Sequence, residues 1–298
     1  MSLFKVIKDK FTLYYWRHKD KKERKKCIEP QIASIEETIN EIIKNHVSVS
    51  RFGDGEYKWI ADLPQDSFQT SSTEMQKRLT EIIKSDLDNH IVCLSDVFGD
   101  LSKYNTYGEH FWTWFMANNR VRWTSYLKQG KQYYNTNMTR LYMDYKDKSK
   151  CASWFQLLKK VWEEREILII EGEKTRLGVG NDLFENVKSI QRILAPAVNA
   201  FGEYEKIFQS ACEFGKGKLI LIALGPTATI LAYDLAKAGY QAIDVGHVDV
   251  EYEWFLMGAT EKVPLKHKYV NEAAGHAGRN VEGIQDEEYL MQICKKIL

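Results

Sequence analysis

Two kinds of apolar pattern alternate along this chain from residue 31 onward. Residues 31–46 place Ile32, Ile35, Ile39, Ile42 and Ile43 at helical spacing, and residues 47–52 follow as a short β-rich run ending at Gly53 and Gly55. Residues 73–87 predict a second helix with a strand at 91–97 behind it. Further strand-length runs lie at 165–170, 218–224 and 241–245, and residues 227–238 between the last two predict a helix, so this final unit is β-α-β. Such alternation predicts an α/β fold with a mostly parallel sheet and ligands at the carboxyl ends of its strands. Residues 104–162 are rich in aromatics and lack clear strands, which predicts a helical insertion.

Residues 1–29 read as a separate basic amphipathic segment, ahead of a main domain over 30–298. Leu3, Phe4, Ile7, Phe11, Tyr14 and Tyr15 are spaced to share one helical face, and a basic run fills 19–26. That pattern suits a helix lying on an anionic membrane surface, and equally a helix docked on the protein's own core.

Composition narrows the class. The 298 residues are 28% charged and 44% hydrophobic with only 18 Gly and 5 Pro, which excludes collagen-like and broadly disordered chains. The net charge of +1 hides an asymmetry, because residues 1–27 carry ten Lys/Arg against three acids. The remainder is slightly acidic and has no basic-aromatic motif, so nucleic acid is not an expected partner. No run is long enough to span a bilayer and no secretory leader is visible, so the expected location is cytoplasmic, with peripheral attachment at the inner face of the cell membrane. Five scattered cysteines without a C-x-x-C pair predict reduced thiols.

Four clusters carry candidate chemistry. In Arg51-Phe52-Gly53-Asp54-Gly55-Glu56, two carboxylates on an expected strand-to-loop turn can face one hard cation, while Gly53 and Gly55 let backbone approach a phosphate. Glu171, Lys174 and Arg176 follow an apolar strand, the two bases suiting phosphate oxygens and Asp182 suiting a helix cap. Gly225-Pro226-Thr227 joins a strand to a helix whose first turn can bind an anion or be capped by Thr227. Asp244 and His247 end the last strand, and Asp249, Glu251 and Glu253 continue at alternate positions, which would turn three carboxylates to one side of an extended segment.

Together Arg51–Glu56, residues 171–184 and 224–258 resemble the GT-D type of bacterial glycosyltransferase, a family first catalogued as a domain of unknown function. The likeness runs over about 48–272 and includes Thr139-Arg140-Leu141-Tyr142 and residues 192–199. It implies a Rossmann-like fold in which Asp54 and Glu56 form a D-x-E motif holding Mn²⁺ or Mg²⁺ and the diphosphate of a UDP-sugar. It further implies transfer of a sugar, with glucose the family's best-known case, to a glycan acceptor on a glycoprotein or lipid carrier in surface glycoprotein or polysaccharide synthesis. Glu171, His247, Asp249 and Glu251 are the candidate proton acceptors. Metal-dependent phosphoester hydrolysis, with a second metal in the 244–253 cluster, and a non-catalytic nucleotide-binding subunit are the alternatives.

Overall fold

Strands form where apolar runs are buried from both sides, and helices where capping residues precede an apolar stripe. The computed structural model describes residues 3–65, 69–70, 72–270, 281 and 286–297, with side chains from Phe11 onward. The expected roles of the Leu3, Phe4 and Ile7 side chains, and the last residues of the resemblance (271 and 272), therefore lie outside what is described.

Nine strands are found among these residues: β1 (Gln31–Ile32), β2 (Ser48–Phe52), β3 (His90–Leu94), β4 (Gln132–Asn135), β5 (Glu166–Gly172), β6 (Ser189–Ala195), β7 (Leu219–Ala223), β8 (Gln241–Asp244) and β9 (Ile293–Lys296). They pair in the order β1-β4-β3-β2-β8-β7-β5-β6-β9, and every pairing is parallel. This is the expected α/β fold with a parallel sheet. The helices are α1 (Leu3–Arg24), α2 (Ile35–Asn45), α3 (Asp54–Ile60), α4 (Thr73–Ile82), α5 (Thr106–Ser125), α6 (Cys151–Lys159), α7 (Tyr204–Phe214), α8 (Pro226–Lys237), α9 (Val248–Leu256) and α10 (Glu287–Gln292).

Side chains alternate across the sheet, and both faces are covered. Ile167 and Ile169 of β5 and Leu219 and Leu221 of β7 enter one core, while Leu168, Ile170, Ile220 and Ile222 enter another on the opposite face. Each such fully buried side chain contributes roughly 1.5–3 kcal/mol. On the opposite face α8 bridges two clusters, giving Ile230 to the one under β2 and β3 and Leu231 to the one under β5 and β7.

Two expectations change here. The helix expected from residue 31 begins at Ile35, because Ser34 and Glu37 form a reciprocal cap: the Glu37 N–H donates to Ser34 Oγ at 3.1 Å, and the Ser34 N–H donates to Glu37 Oε2 at 2.8 Å. Residues 31–32 instead extend the sheet edge. The aromatic section is not an insertion outside the sheet. It supplies β4, which lies between β3 and β1, and its rings pack from α5 and α6 into the main core.

The basic helix α1 lies on α5. Arg17 pairs with Glu109, Lys19 donates to Asn118 at 2.7 Å, and the fully buried guanidinium of Arg120 is held by Asp20 at 2.8 Å and by Glu29. The N-terminal segment is thus docked on the main body. Phe11, Tyr14 and Tyr15 nevertheless face outward and are exposed.

Candidate active site

In a parallel sheet the crevice forms where strand order reverses, here between β2 and β8. A cavity of about 1130 Å³ opens at that point, bordered by the carboxyl ends of β2, β3, β4, β5, β6, β7 and β8. Arg51, at the end of β2, fixes the reversal point. Its Nε and Nη2 donate to Asp244 Oδ1 at 3.2 and 3.1 Å, and its Nη1 donates to Thr139 Oγ1 at 2.7 Å. Gly246 is needed beside it: at φ +46, an added Cβ would fall 1.7 Å from Arg51 Nη2. Burial raises the Asp244 carboxyl's proton affinity, and the Arg51 guanidinium opposes that rise.

The D-x-E residues both border the cavity, although their local structure differs from the expected loop. Asp54, Gly55 and Glu56 form the first turn of α3, where positions two apart point to different sides. Glu56 Oε2 accepts the Gly53 N–H at 2.8 Å, and Asp54 pairs with Lys58 at 2.6 Å. The two carboxylates thus have separate partners on the wall of the same cavity. Burial raises the proton affinity of Glu56 and the Asp244 charge adds to it, so a positive charge beside Glu56 would be favourable. Among the described residues no three His, Cys, Asp or Glu side chains gather as a metal cage. Two hard carboxylates at a cavity wall suit a cation whose remaining ligands are phosphate oxygens and water, so this donor set fits Mn²⁺ or Mg²⁺ on a diphosphate.

The second and third clusters are placed differently from expectation. Glu171 is fully buried and does not border the cavity. It pairs with Arg192 at 2.7 Å and accepts the Leu177 N–H at 2.6 Å, which braces the loop after β5, and burial raises its proton affinity against the pull of Arg192. Lys174 is exposed away from the cavity, and buried Arg176 donates to the His267 carbonyl at 2.7 Å. The expected phosphate role of Lys174 and Arg176 is not what this arrangement offers. Asp182 caps no helix; it accepts from Lys159 and from the Tyr252 hydroxyl, each at 2.7 Å. Gly225 is the N-cap of α8 and stands on the cavity wall, whereas Thr227 is buried against Gln69 at 3.4 Å and neither caps nor borders the cavity.

The fourth cluster is helical, which separates the three acids expected on one side. Six of the nine side chains of α9 are buried and only Leu256 is exposed, so no solvent face marks a 3.6-residue period. Asp249 and Glu253, one turn apart, share Lys268, at 2.7 and 2.8 Å, and Asn181, at 2.7 Å each. Burial raises the proton affinity of Asp249, and Lys268 opposes it. Glu251 points elsewhere and accepts the N–H groups of Tyr142 and Met143 at 3.0 and 2.8 Å. It lies beneath the 140–144 segment and off the cavity wall. His247, at the start of α9, and Asp249 do border the cavity.

The model of the glycosyltransferase GT-D fold matches residues 49–273. The chain belongs to this family. A solved structure described as a new glycosyltransferase (DUF1792) from Streptococcus sanguinis is 37% identical, with a TM-score of 0.85 over 91% of this chain and 100% of that one. Another, described as the highly conserved domain of unknown function 1792 with a distinct glycosyltransferase fold, is 38% identical with a TM-score of 0.84 over 93% and 99%. Over 271 residues the chain is 38% identical to the probable glycosyl transferase Gly of Streptococcus gordonii, covering 89% of this chain and 39% of that protein. It is equally similar to glycosyltransferase GlyD of Streptococcus pneumoniae, covering 90% and 33%. The chain thus spans between a third and two fifths of these curated relatives.

Within the GT-D region, cations absent from the sequence-derived candidates border the cavity. Arg140 and Lys262 both approach Asp144, at 3.9 and 3.4 Å, and Lys58 stands beside Asp54. Arg140 lies in the Thr139–Tyr142 run that carries the resemblance, yet nothing in its spacing distinguishes it from a surface arginine. Lys262 follows α9 in a segment without periodicity, so only the fold brings it to the site.

Proposed function

We propose that this GT-D glycosyltransferase transfers a sugar from a UDP-sugar to a hydroxyl of a glycan acceptor on a glycoprotein or lipid carrier, in surface glycoprotein or polysaccharide synthesis. Glucose is the sugar that the family resemblance suggests. The observation that carries this reading is the cavity at the β2/β8 reversal, with the D-x-E turn of α3 on its wall.

Asp54 and Glu56 would hold the divalent cation, each exchanging its present partner, Lys58 or the Gly53 N–H. Neutralisation of diphosphate charge is what bound Mn²⁺ or Mg²⁺ supplies. Arg140 and Lys262 meet the charge that develops on the leaving UDP as the bond from sugar C1 to the β-phosphate oxygen breaks. Arg51 holds the crevice in shape through Asp244. The acceptor oxygen attacks C1 and its proton passes to His247, which borders the cavity beside Asp244 and Gly246. The phosphoester-hydrolase alternative is not favoured, since the acids of 244–253 diverge to Arg51, Lys268 and the 142–143 backbone. The outward aromatic residues of α1 and its basic charge support peripheral attachment to an anionic inner leaflet.

Turnover of UDP-glucose with Mn²⁺ tests the assignment. Asp54→Asn and Glu56→Gln are expected to lower transfer by about 100-fold or more, and His247→Asn by a similar factor with UDP binding retained. Full activity in both carboxylate variants would remove the metal assignment. UDP binding by the parent protein without turnover of any UDP-sugar would favour the non-catalytic subunit.

A further inference from the structure

A second, smaller groove of about 340 Å³ runs between α1 and α5, walled by Leu13 and Trp16 from α1 and by Tyr107, His110, Phe111 and Trp114 from α5. Tyr107 and Phe111 also border the main cavity, so the two spaces share a wall. We propose that this groove binds the sugar rings of the acceptor glycan, holding its reactive hydroxyl toward the donor cavity. The proposal rests on the glycosyl-transfer reading above.

Three observations favour carbohydrate as the occupant. The walls are predominantly aromatic, and ring faces carry partial negative charge. The C–H bonds on one face of a pyranose are polarised positive, so such rings pack well against it. Tyr107 is 73% exposed and Trp114 45% exposed, large rings held at water beside a sugar-transfer cavity. Tyr107 and His110 are among the lining residues, so a hydroxyl and an imidazole accompany the rings and can bond sugar hydroxyls.

The groove is also preformed. Asp20 on the buried Arg120 guanidinium, Lys19 on Asn118 and Arg17 on Glu109 fix α1 along α5, so little ordering cost remains for the ligand. The α1 wall lies before residues 49–273, which the GT-D family model matches, while the α5 wall lies within them. Acceptor choice can therefore change through α1 without disturbing the donor machinery. The outward positions Phe11, Tyr14 and Tyr15 lie on a different face from Leu13 and Trp16 and take no part.

The test uses the full-length protein labelled with 5-fluorotryptophan, with the ¹⁹F signals of Trp16, Trp114, Trp59 and Trp112 assigned by single Trp→Phe variants. Glucose, N-acetylglucosamine, lactose and maltose are titrated separately, as are octyl alcohol and UDP with Mn²⁺. The expected result is that at least one saccharide shifts the Trp16 and Trp114 signals saturably. Tyr107→Ala, at an exposed site that leaves the fold intact, should raise the half-saturating concentration by about tenfold. UDP with Mn²⁺ should act on Trp59 and Trp112, which border the main cavity. No saccharide response, a response unchanged in Tyr107→Ala, or a response to octyl alcohol alone would overturn the proposal. Failure of UDP to move Trp59 or Trp112 would instead count against the donor reading.

Discussion

Glu251 illustrates how a single buried acid ties the site to stability. Its Oε2 accepts two backbone N–H bonds, from Tyr142 and Met143, and among the described residues its Oε1 has no hydrogen-bond partner. Burial and then the nearby Asp144 charge push its pKa up to about 7, against the pull of Arg140 and Lys262. A folded pKa above the ordinary 4.5 means that the folded chain holds the proton more tightly than the unfolded chain. The resulting stabilisation is complete below about pH 4.5 and disappears as pH rises through 7. Glu251→Gln keeps an accepting oxygen and removes the ionisation. Urea unfolding between pH 5 and 8 should therefore show the parent protein losing on the order of 2–3 kcal/mol that the variant does not lose. Parallel pH profiles for the two proteins would contradict this account.

At the scale of elements, helix α9 shows why chemistry was easier to locate than to orient. Val248, Val250, Tyr252 and Trp254 alternate with polar residues as a strand would. The helix turns Asp249 and Glu253 toward Lys268 and Asn181 and turns Glu251 toward the 142–143 backbone, and those partners are remote in sequence. No local pattern announces them. Helix α1 makes the converse point: its amphipathic pattern was legible, but one pattern served two faces. The inner face docks on α5, and Phe11, Tyr14 and Tyr15 stay outside. That outer face predicts co-sedimentation with anionic vesicles, at roughly 1 kcal/mol per basic residue reaching the surface. Binding should fall in high salt and on neutral vesicles. Phe11→Ser with Tyr14→Ser and Tyr15→Ser should weaken it without lowering turnover of a soluble acceptor. Equal sedimentation of the triple variant and the parent would contradict the assignment.

Across the whole molecule, the strands that could be read directly were β2, β3, β5, β7 and β8, which occupy the middle of the sheet and are buried on both faces. The strands that escaped, β1, β4, β6 and β9, lie toward its edges, where Gln132, Ser189, Gln191, Lys295 and Lys296 dilute the apolar run. The same distinction governs the site. Arg51, Asp54, Glu56, Gly225, His247 and Asp249 reach the cavity because they follow legible strands, whereas Arg176, Glu171, Thr227 and Glu251 lie near in sequence but turn into the core, and Lys174 faces solvent. Arg140 and Lys262 arrive from segments with no periodic signal. The central claim, that the β2/β8 crevice holds a nucleoside diphosphate with a divalent cation on the α3 turn, is tested most directly by calorimetric titration of the full-length protein with UDP. The account predicts binding that strengthens by about tenfold or more when Mn²⁺ is present and loses that enhancement in Asp54→Asn. UDP affinity indifferent to Mn²⁺, or absent while GDP or a nicotinamide dinucleotide binds, would contradict it.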